Sequence, residues 1–290
     1  MDKYNVSIIG AGALGRVLAR GLSNKGYPIA GLYNRTFSVA EKLAEGINAR
    51  EKGIFPTAAT VLGRVIFLTV SDGVIEETAE RLAALDLDFS GRYVFHCSGS
   101  KTSQALVPLQ KQGAGIAAFH PVQTFTASSK PDDLHGIYFD VEGDENALQV
   151  AKKLTATFNS SCIVIDRKAK PYLHAAGVVA SNYLVALLRL TEMIAKIGEM
   201  DEAQARNALM PLVAKSLDNI ASSEQLTDAL SGPIARGDTD TLRLHMELLK
   251  KHPKILALYQ QLGEITLDVA KEGGRLSKEQ TTQLETLLKS

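Results

Sequence analysis

Val6-Ser7-Ile8-Ile9 runs into Gly10-Ala11-Gly12-Ala13-Leu14-Gly15 and then into a helical apolar pattern over Leu14–Lys25. This strand, glycine turn and helix constrain the fold more than any other feature of the chain. The first glycine permits the tight turn, the second lets the backbone approach a pyrophosphate, and the third lets helix and strand pack closely. The helix N–H groups are then aimed at the phosphates. The turn lies inside a β-α-β unit that closes with the strand Ile29–Tyr33, which is the context such a motif requires. Gly10, Ala11, Gly12, Ala13, Leu14 and Gly15 are therefore read as the cradle of a dinucleotide.

The same alternation continues to about Asp166. Short β-branched or aromatic runs at Val65–Val70, Tyr93–His96, Gly115–Phe119, Ile137–Val141 and Cys162–Ile165 are separated by helical patterns. That order predicts an α/β domain with a doubly wound parallel sheet over residues 1–166. From Pro171 the strand signals stop, and residues 167–290 read as an all-helical domain. Its helix starts are marked by Asp201 and Asp238 as N-caps and by Ser277 with Gln280 as a capping box.

Composition excludes several classes. With 32 basic and 32 acidic residues the chain has no net field to draw it to nucleic acid or an anionic membrane. Cys97 and Cys162 are too few for a disulfide framework and lack zinc-site spacing, so no metal centre is expected and both are read as free thiols in a reducing compartment. The first residues lack the pattern of a signal peptide, which points to the cytoplasm. The most apolar stretch, Ala175 to Leu188, is shorter than the ~20 residues of a membrane span and is read as a buried helix of a soluble domain.

The residues after the second strand bear on which dinucleotide is bound. An NAD site would carry a carboxylate there for the ribose 2′-hydroxyl. Here the chain has Asn34-Arg35-Thr36, a guanidinium and a hydroxyl suited to a 2′-phosphate, so NADP(H) is the expected cofactor. Val70 and Ser71, at the end of an apolar central strand, should flank it, and Asp72 reads as the N-cap of the helix that follows.

These segments resemble the 6-phosphogluconate dehydrogenase-like superfamily, which includes pyrroline-5-carboxylate reductase, ketopantoate reductase and prephenate dehydrogenase. His96-Cys97-Ser98-Gly99-Ser100, Phe119-His120-Pro121, Ser181-Asn182-Tyr183 and the stretch Ser231 to Asp238 are similar to a branch with a Rossmann-like domain followed by a helical domain of unknown function. The resemblance implies hydride transfer between NADP(H) and a small alcohol, ketone or imine. It also implies a homodimer built on the helical domain. His120-Pro121 is similar to a segment that supplies a catalytic histidine in prephenate dehydrogenases, and Ser100-Lys101 to a serine-containing turn. Other branches place a Lys and an Asn one helical turn apart; here Lys170 is followed by His174, with Asn182 further along.

Hydride transfer to a carbonyl needs a group that gives or takes a proton, and an imidazole suits this near neutrality. His120 ends a strand, and Pro121 keeps it extended, over the edge where substrate would sit. It is the first candidate for proton transfer. His174 and Ser181 fall within about 20° of each other on the long helix, with Asn182 about 80° to the other side. His174, Asn182 and Ser100 are assigned to orienting substrate and nicotinamide, Ser98 to the cofactor, and Ser181 and Arg236 to the substrate. His96 also ends a strand, and contact of its turn with a ligand remains as open as a structural role. His135, His245 and His252 are read as structural or surface residues. The rival reading is a non-catalytic sensor or scaffold that binds NADP(H).

Overall fold

The structure, a computed structural model, describes residues 3–289. The chain divides into two compact units, Met1–Asn182 and Tyr183–Ser290. The first contains the sheet, whose strands are β1 (Val6–Ile9), β2 (Ile29–Tyr33), β3 (Glu51–Gly53), β4 (Val65–Leu68), β5 (Tyr93–His96), β6 (Gly115–Pro121), β7 (Tyr138–Gly143) and β8 (Ser161–Val164). Their order is β3-β2-β1-β4-β5-β6-β7-β8. Helices α1 (Ala13–Asn24), α2 (Phe37–Glu45), α3 (Ile75–Ala83), α4 (Val107–Gln110) and α5 (Glu145–Thr157) connect them, followed by α6 (Lys170–Ile197).

The strand order reverses between β1 and β4, and the crevice beyond their carboxyl ends is the usual ligand position of an open α/β sheet. β1 lies parallel to both neighbours, with Ile9 opposite Tyr33 on one side and Leu68 on the other. The central strands β1, β2 and β4 are buried throughout, as strands covered on both faces should be. Phe67, Phe95, Phe119 and Phe139 form a fully buried row on one face, with adjacent centroids 5.4, 5.6 and 4.7 Å apart.

Two features depart from the sequence expectation of a parallel sheet built from the strands named above. β7 runs antiparallel to β6, because the connection between them contains only a short 3-10 turn, Pro131–Leu134, and a parallel return needs a crossover of helical length. β3 was not expected at all. Its three residues are too few and too polar to carry a strand pattern, and it is formed by pairing with Gly31–Tyr33 and by Tyr33 Oη donating to Glu51 at 3.0 Å.

His96 turns out to be part of the core. It is fully buried, Nε2 donates to the Thr102 carbonyl at 2.9 Å, and the Ser98 N–H donates to Nδ1 at 3.2 Å. Burial pushes its pKa down to about 4, so the ring is held neutral with its proton on Nε2.

The second unit is helical, with α7 (Glu202–Ser222), α8 (Leu226–Ala229), α9 (Pro233–Arg236), α10 (Thr239–Leu249), α11 (Pro253–Glu272) and α12 (Lys278–Leu288). Asp201 and Asp238 cap α7 and α10 through their side chains, and Ser277 with Gln280 forms the capping box of α12. A small cluster of Leu242, Leu267, Leu284 and Leu288 forms its core. The expectation that α6 is a buried helix is not met: Lys170 is its buried residue, while Tyr172, Val179, Tyr183 and Val185 are all more than half exposed. By length and composition α6 could also cross a membrane. Apolar spacing reports that a face needs covering, without saying what covers it.

A buried imidazole held neutral takes up a proton in the unfolded chain first. Its contribution is complete above the ordinary histidine pKa and is lost as pH falls from there toward 4. We expect urea denaturation to show up to roughly 3 kcal/mol of stability lost over that window, and His96→Gln, which can keep both hydrogen bonds, to remove most of this dependence.

Candidate active site

The glycine turn opens on a cleft of about 430 Å³ at the β1–β4 switch point. Each glycine is required for a different reason. Gly10 has φ +110°, and a Cβ there would run into the Thr69 carbonyl. At Gly15 a Cβ would overlap the Gly10 carbonyl, so helix and strand can approach only without one. At Gly12 a Cβ would meet nothing within 4 Å, which leaves bare backbone facing open space in the cleft. Thr69 Oγ1 clamps the turn by donating to the Gly10 carbonyl at 2.6 Å. Asn34 ties it to β2, accepting from the Ala11 N–H at 3.0 Å and donating to the Thr36 carbonyl at 3.1 Å.

Gly10, Gly12, Asn34, Arg35, Val70 and Ser71 line this cleft, joined by Thr69, Phe55 and Arg81, which sequence reasoning did not single out. Ala11 is buried behind the turn, Leu14 packs on the core, and Thr36 precedes α2 as its N-cap residue. Ala13 begins α1. A bare glycine backbone, a helix N-terminus and a guanidinium at the end of β2 fit a phosphorylated dinucleotide.

A second cleft, of about 290 Å³, is lined by His120, Gln123, Thr124, Asp140, His174, Gly177, Ser181 and Asn182, with apolar walls at Val122, Leu173 and Val178. His120 stands at the carboxyl end of β6. Antiparallel pairing places Asp140 of β7 directly opposite it, and His120 Nδ1 donates to Asp140 Oδ2 at 2.6 Å. The other Asp140 oxygen accepts from Lys170 Nζ, on the first residue of α6. Asp140 and Lys170 are both buried. Burial, the largest influence, pushes the Asp140 carboxyl up, but the His120 hydrogen bond and the Lys170 charge together outweigh it and hold the group below its ordinary value. Asp140 is thus an anion that accepts from both neighbours, and the Nδ1 proton of His120 is held in place. Nε2 is left as the nitrogen that can exchange a proton.

The His174 ring stands edge-on to His120, with centroids 5.9 Å apart. Gly99 lies against both: a Cβ there would overlap His174 Nδ1 and come within 2.8 Å of His120 Cε1 and Nε2. The two imidazoles can meet only over a residue without a side chain. Ser181 lines the cleft, but its hydroxyl donates to the Gly177 carbonyl at 2.7 Å, within its own helix.

Other candidates sit elsewhere. Ser98 and Ser100 turn their hydroxyls to Asp72 Oδ2, at 2.7 and 2.9 Å. Asp72 is therefore not the helix cap expected of it; Ser71 holds the N-cap position of the 3-10 turn there and makes no side-chain cap. Arg236 lies at the end of α9 in the second unit, where its carbonyl accepts from Gln280. Cys97 is buried, and burial pushes its thiol up to about 12, which leaves it inert. Asp140 was missed, although a carboxylate inside the apolar run Ile137–Val141 was a signal for it. For Gly99 only its chemistry-rich neighbours pointed the way.

A Rossmann-like domain model matches residues 1–121, and the Domain of unknown function DUF2520 matches residues 137–266. No curated protein matches the chain. Among solved structures, protein TM1727 from Thermotoga maritima is 27% identical, with TM-score 0.72, covering 92% of this chain and 98% of its own. A protein of Bacteroides fragilis, described as a candidate NADP oxidoreductase, is 22% identical with the same TM-score and coverages. A reductive aminase from Aspergillus terreus, solved with NADPH and ethyl-5-oxohexanoate, shares the fold at 16% identity and TM-score 0.57, covering 99% of this chain and 93% of its own.

The glycines can be separated by experiment. Gly15→Ala, which forces a Cβ into backbone, should cost at least the ~1–3 kcal/mol of overpacking, read by urea unfolding. Gly12→Ala should leave the unfolding midpoint unchanged.

Proposed function

We propose that this chain, a Rossmann-like domain joined to a DUF2520 domain, is an NADP(H)-dependent oxidoreductase acting on a small alcohol, ketone or imine. The observation that carries the reading is the His120–Asp140–Lys170 chain, which leaves His120 Nε2 free at the carboxyl edge of the sheet that also holds the glycine cradle. The reductive aminase solved with NADPH supports the cofactor. NADP(H), when bound, supplies or accepts the hydride.

The chain's own residues divide the remaining work. The bare backbone at Gly12 and the N-terminal turn of α1 receive the pyrophosphate, Arg35 with Asn34 and Thr36 receives the 2′-phosphate, and Val70 and Ser71 flank the dinucleotide. In reduction His120 donates a proton from Nε2 to the substrate oxygen or nitrogen; in oxidation the same nitrogen takes it up. Asp140 stabilises the imidazolium and fixes the ring, and Lys170 keeps Asp140 ionised, so both are positioning residues. His174, Gln123 and Asn182 supply polar contacts that orient substrate, while Leu173, Val122 and Val178 give the cleft one apolar wall.

We also propose a homodimer, in which a second copy covers the exposed apolar residues of α6. A membrane is the less fitting cover, because α6 starts from the buried Lys170 and carries His174, Ser181 and Asn182 on the cleft. Sedimentation equilibrium should give twice the chain mass, and Val185→Glu with Tyr183→Glu should return it to the monomer.

Turnover is tested with NADPH against a panel of ketones and of ketones with amines. The wild type should oxidise NADPH with at least one of them. His120→Asn and Asp140→Asn should lower kcat by about 10²-fold or more while NADPH affinity, read by fluorescence, stays unchanged. NADPH binding without turnover on any substrate would move the reading to a non-catalytic sensor or scaffold.

A further inference from the structure

The first cleft carries more positive charge than Arg35 alone. Val74, Glu77, Thr78 and Arg81 line it at helical spacing along α3 and the turn before it, so Arg81 belongs to the same face as the residues nearest the switch point. Its guanidinium lies over the Phe55 ring, 4.2 Å from the centroid, in the geometry of a cation–π pair. Phe55 follows β3, so this stack fixes the long side chain on the side of the cleft where β2 ends. Among the described residues the only carboxylate lining the cleft is Glu77, and its Oε1 is 3.9 Å from Arg81 Nη1, at the outer limit of an ion pair. The fork of Arg81 therefore keeps donors for a further anion. Arg35 has no ionic partner among the described residues.

We propose that Arg81, held by Phe55, is a second cation for the 2′-phosphate of NADP(H) beside Arg35. This rests on the dinucleotide reading above. A phosphate monoester carries about −1.5 to −2 charges near neutrality, so one guanidinium leaves about a third to a half of that charge uncompensated. A second, pre-oriented by stacking, supplies the remainder at little cost in side-chain freedom. Arg81 then sets cofactor preference from a helix distant in sequence from the Asn34-Arg35-Thr36 segment. Glu77 opposes it, because its carboxylate competes with the phosphate for the same fork.

The test is isothermal titration of the full chain with 2′,5′-ADP, 5′-AMP, NADPH and NADH. Wild type should prefer 2′,5′-ADP to 5′-AMP and NADPH to NADH. Arg81→Leu should weaken 2′,5′-ADP and NADPH about tenfold and leave 5′-AMP and NADH unchanged. Arg81→Lys should recover part of the loss, and Phe55→Leu, which removes only the stack, should weaken the two phosphorylated ligands by a smaller factor. Glu77→Gln should tighten both. Equal weakening of all four ligands by Arg81→Leu would show contact with the purine alone and overturn the proposal. So would an unchanged preference in Arg81→Leu where Arg35→Leu abolishes it, a result that leaves the cofactor reading intact. A wild type that binds 2′,5′-ADP and 5′-AMP equally would overturn both together. Circular dichroism of each variant checks that the fold is kept.

Discussion

A buried carboxylate organises the second cleft. Asp140 is ionised inside the sheet unit because two donors hold it, His120 from the neighbouring strand and Lys170 from the start of α6. Removing either partner would leave a charge in low dielectric, a change that costs about 3–5 kcal/mol in comparable buried pairs. The triad is thus a constraint on geometry. It holds β6, β7 and the first turn of α6 in one arrangement, and it sets which nitrogen of His120 faces the cleft.

The sheet's topology brings that arrangement to the edge that also carries the glycine turn. Parallel strands β1, β4 and β6 all end on the same side, so the glycine turn, Thr69 and His120 share one edge. β7 then runs backwards, and this reversal puts Asp140 opposite His120 in the ladder. Had β7 continued parallel behind a crossover helix, no residue of it would pair with the end of β6 in this way.

The helix α6 carries two requirements at once. Its first turns supply Lys170 and His174 to the second cleft, and the compact unit containing the sheet extends to Asn182, past the point near Arg167 where strand signals end. Its remaining length carries large exposed apolar side chains. The DUF2520 match begins at residue 137, inside the sheet, so the segment it covers supplies Asp140, Lys170 and His174 together.

Much of this was legible in the residues. The glycine turn, the strand-helix alternation, the caps at Asp201, Asp238 and Ser277, and the placing of His120 and His174 as candidates all follow from short-range rules, in which spacing along the chain dictates φ, hydrogen bonding or facing. Asn34, Arg35, Val70 and Ser71 were legible for the same reason, since each lies within a few residues of a strand end. Asp140, Gly99, Phe55 and Arg81 were not, nor was the use of Asp72 by Ser98 and Ser100. Each acts on a partner at least 20 residues away, and no local period encodes which strand runs backwards, which ring needs a glycine beneath it or which helix face turns to a cleft. Local sequence by itself determined the elements and the turn, because backbone sterics and apolar periodicity act over a few residues. The proposed proton-transfer site was decided only in the tertiary structure, because a buried charge is stable solely where distant donors converge on it.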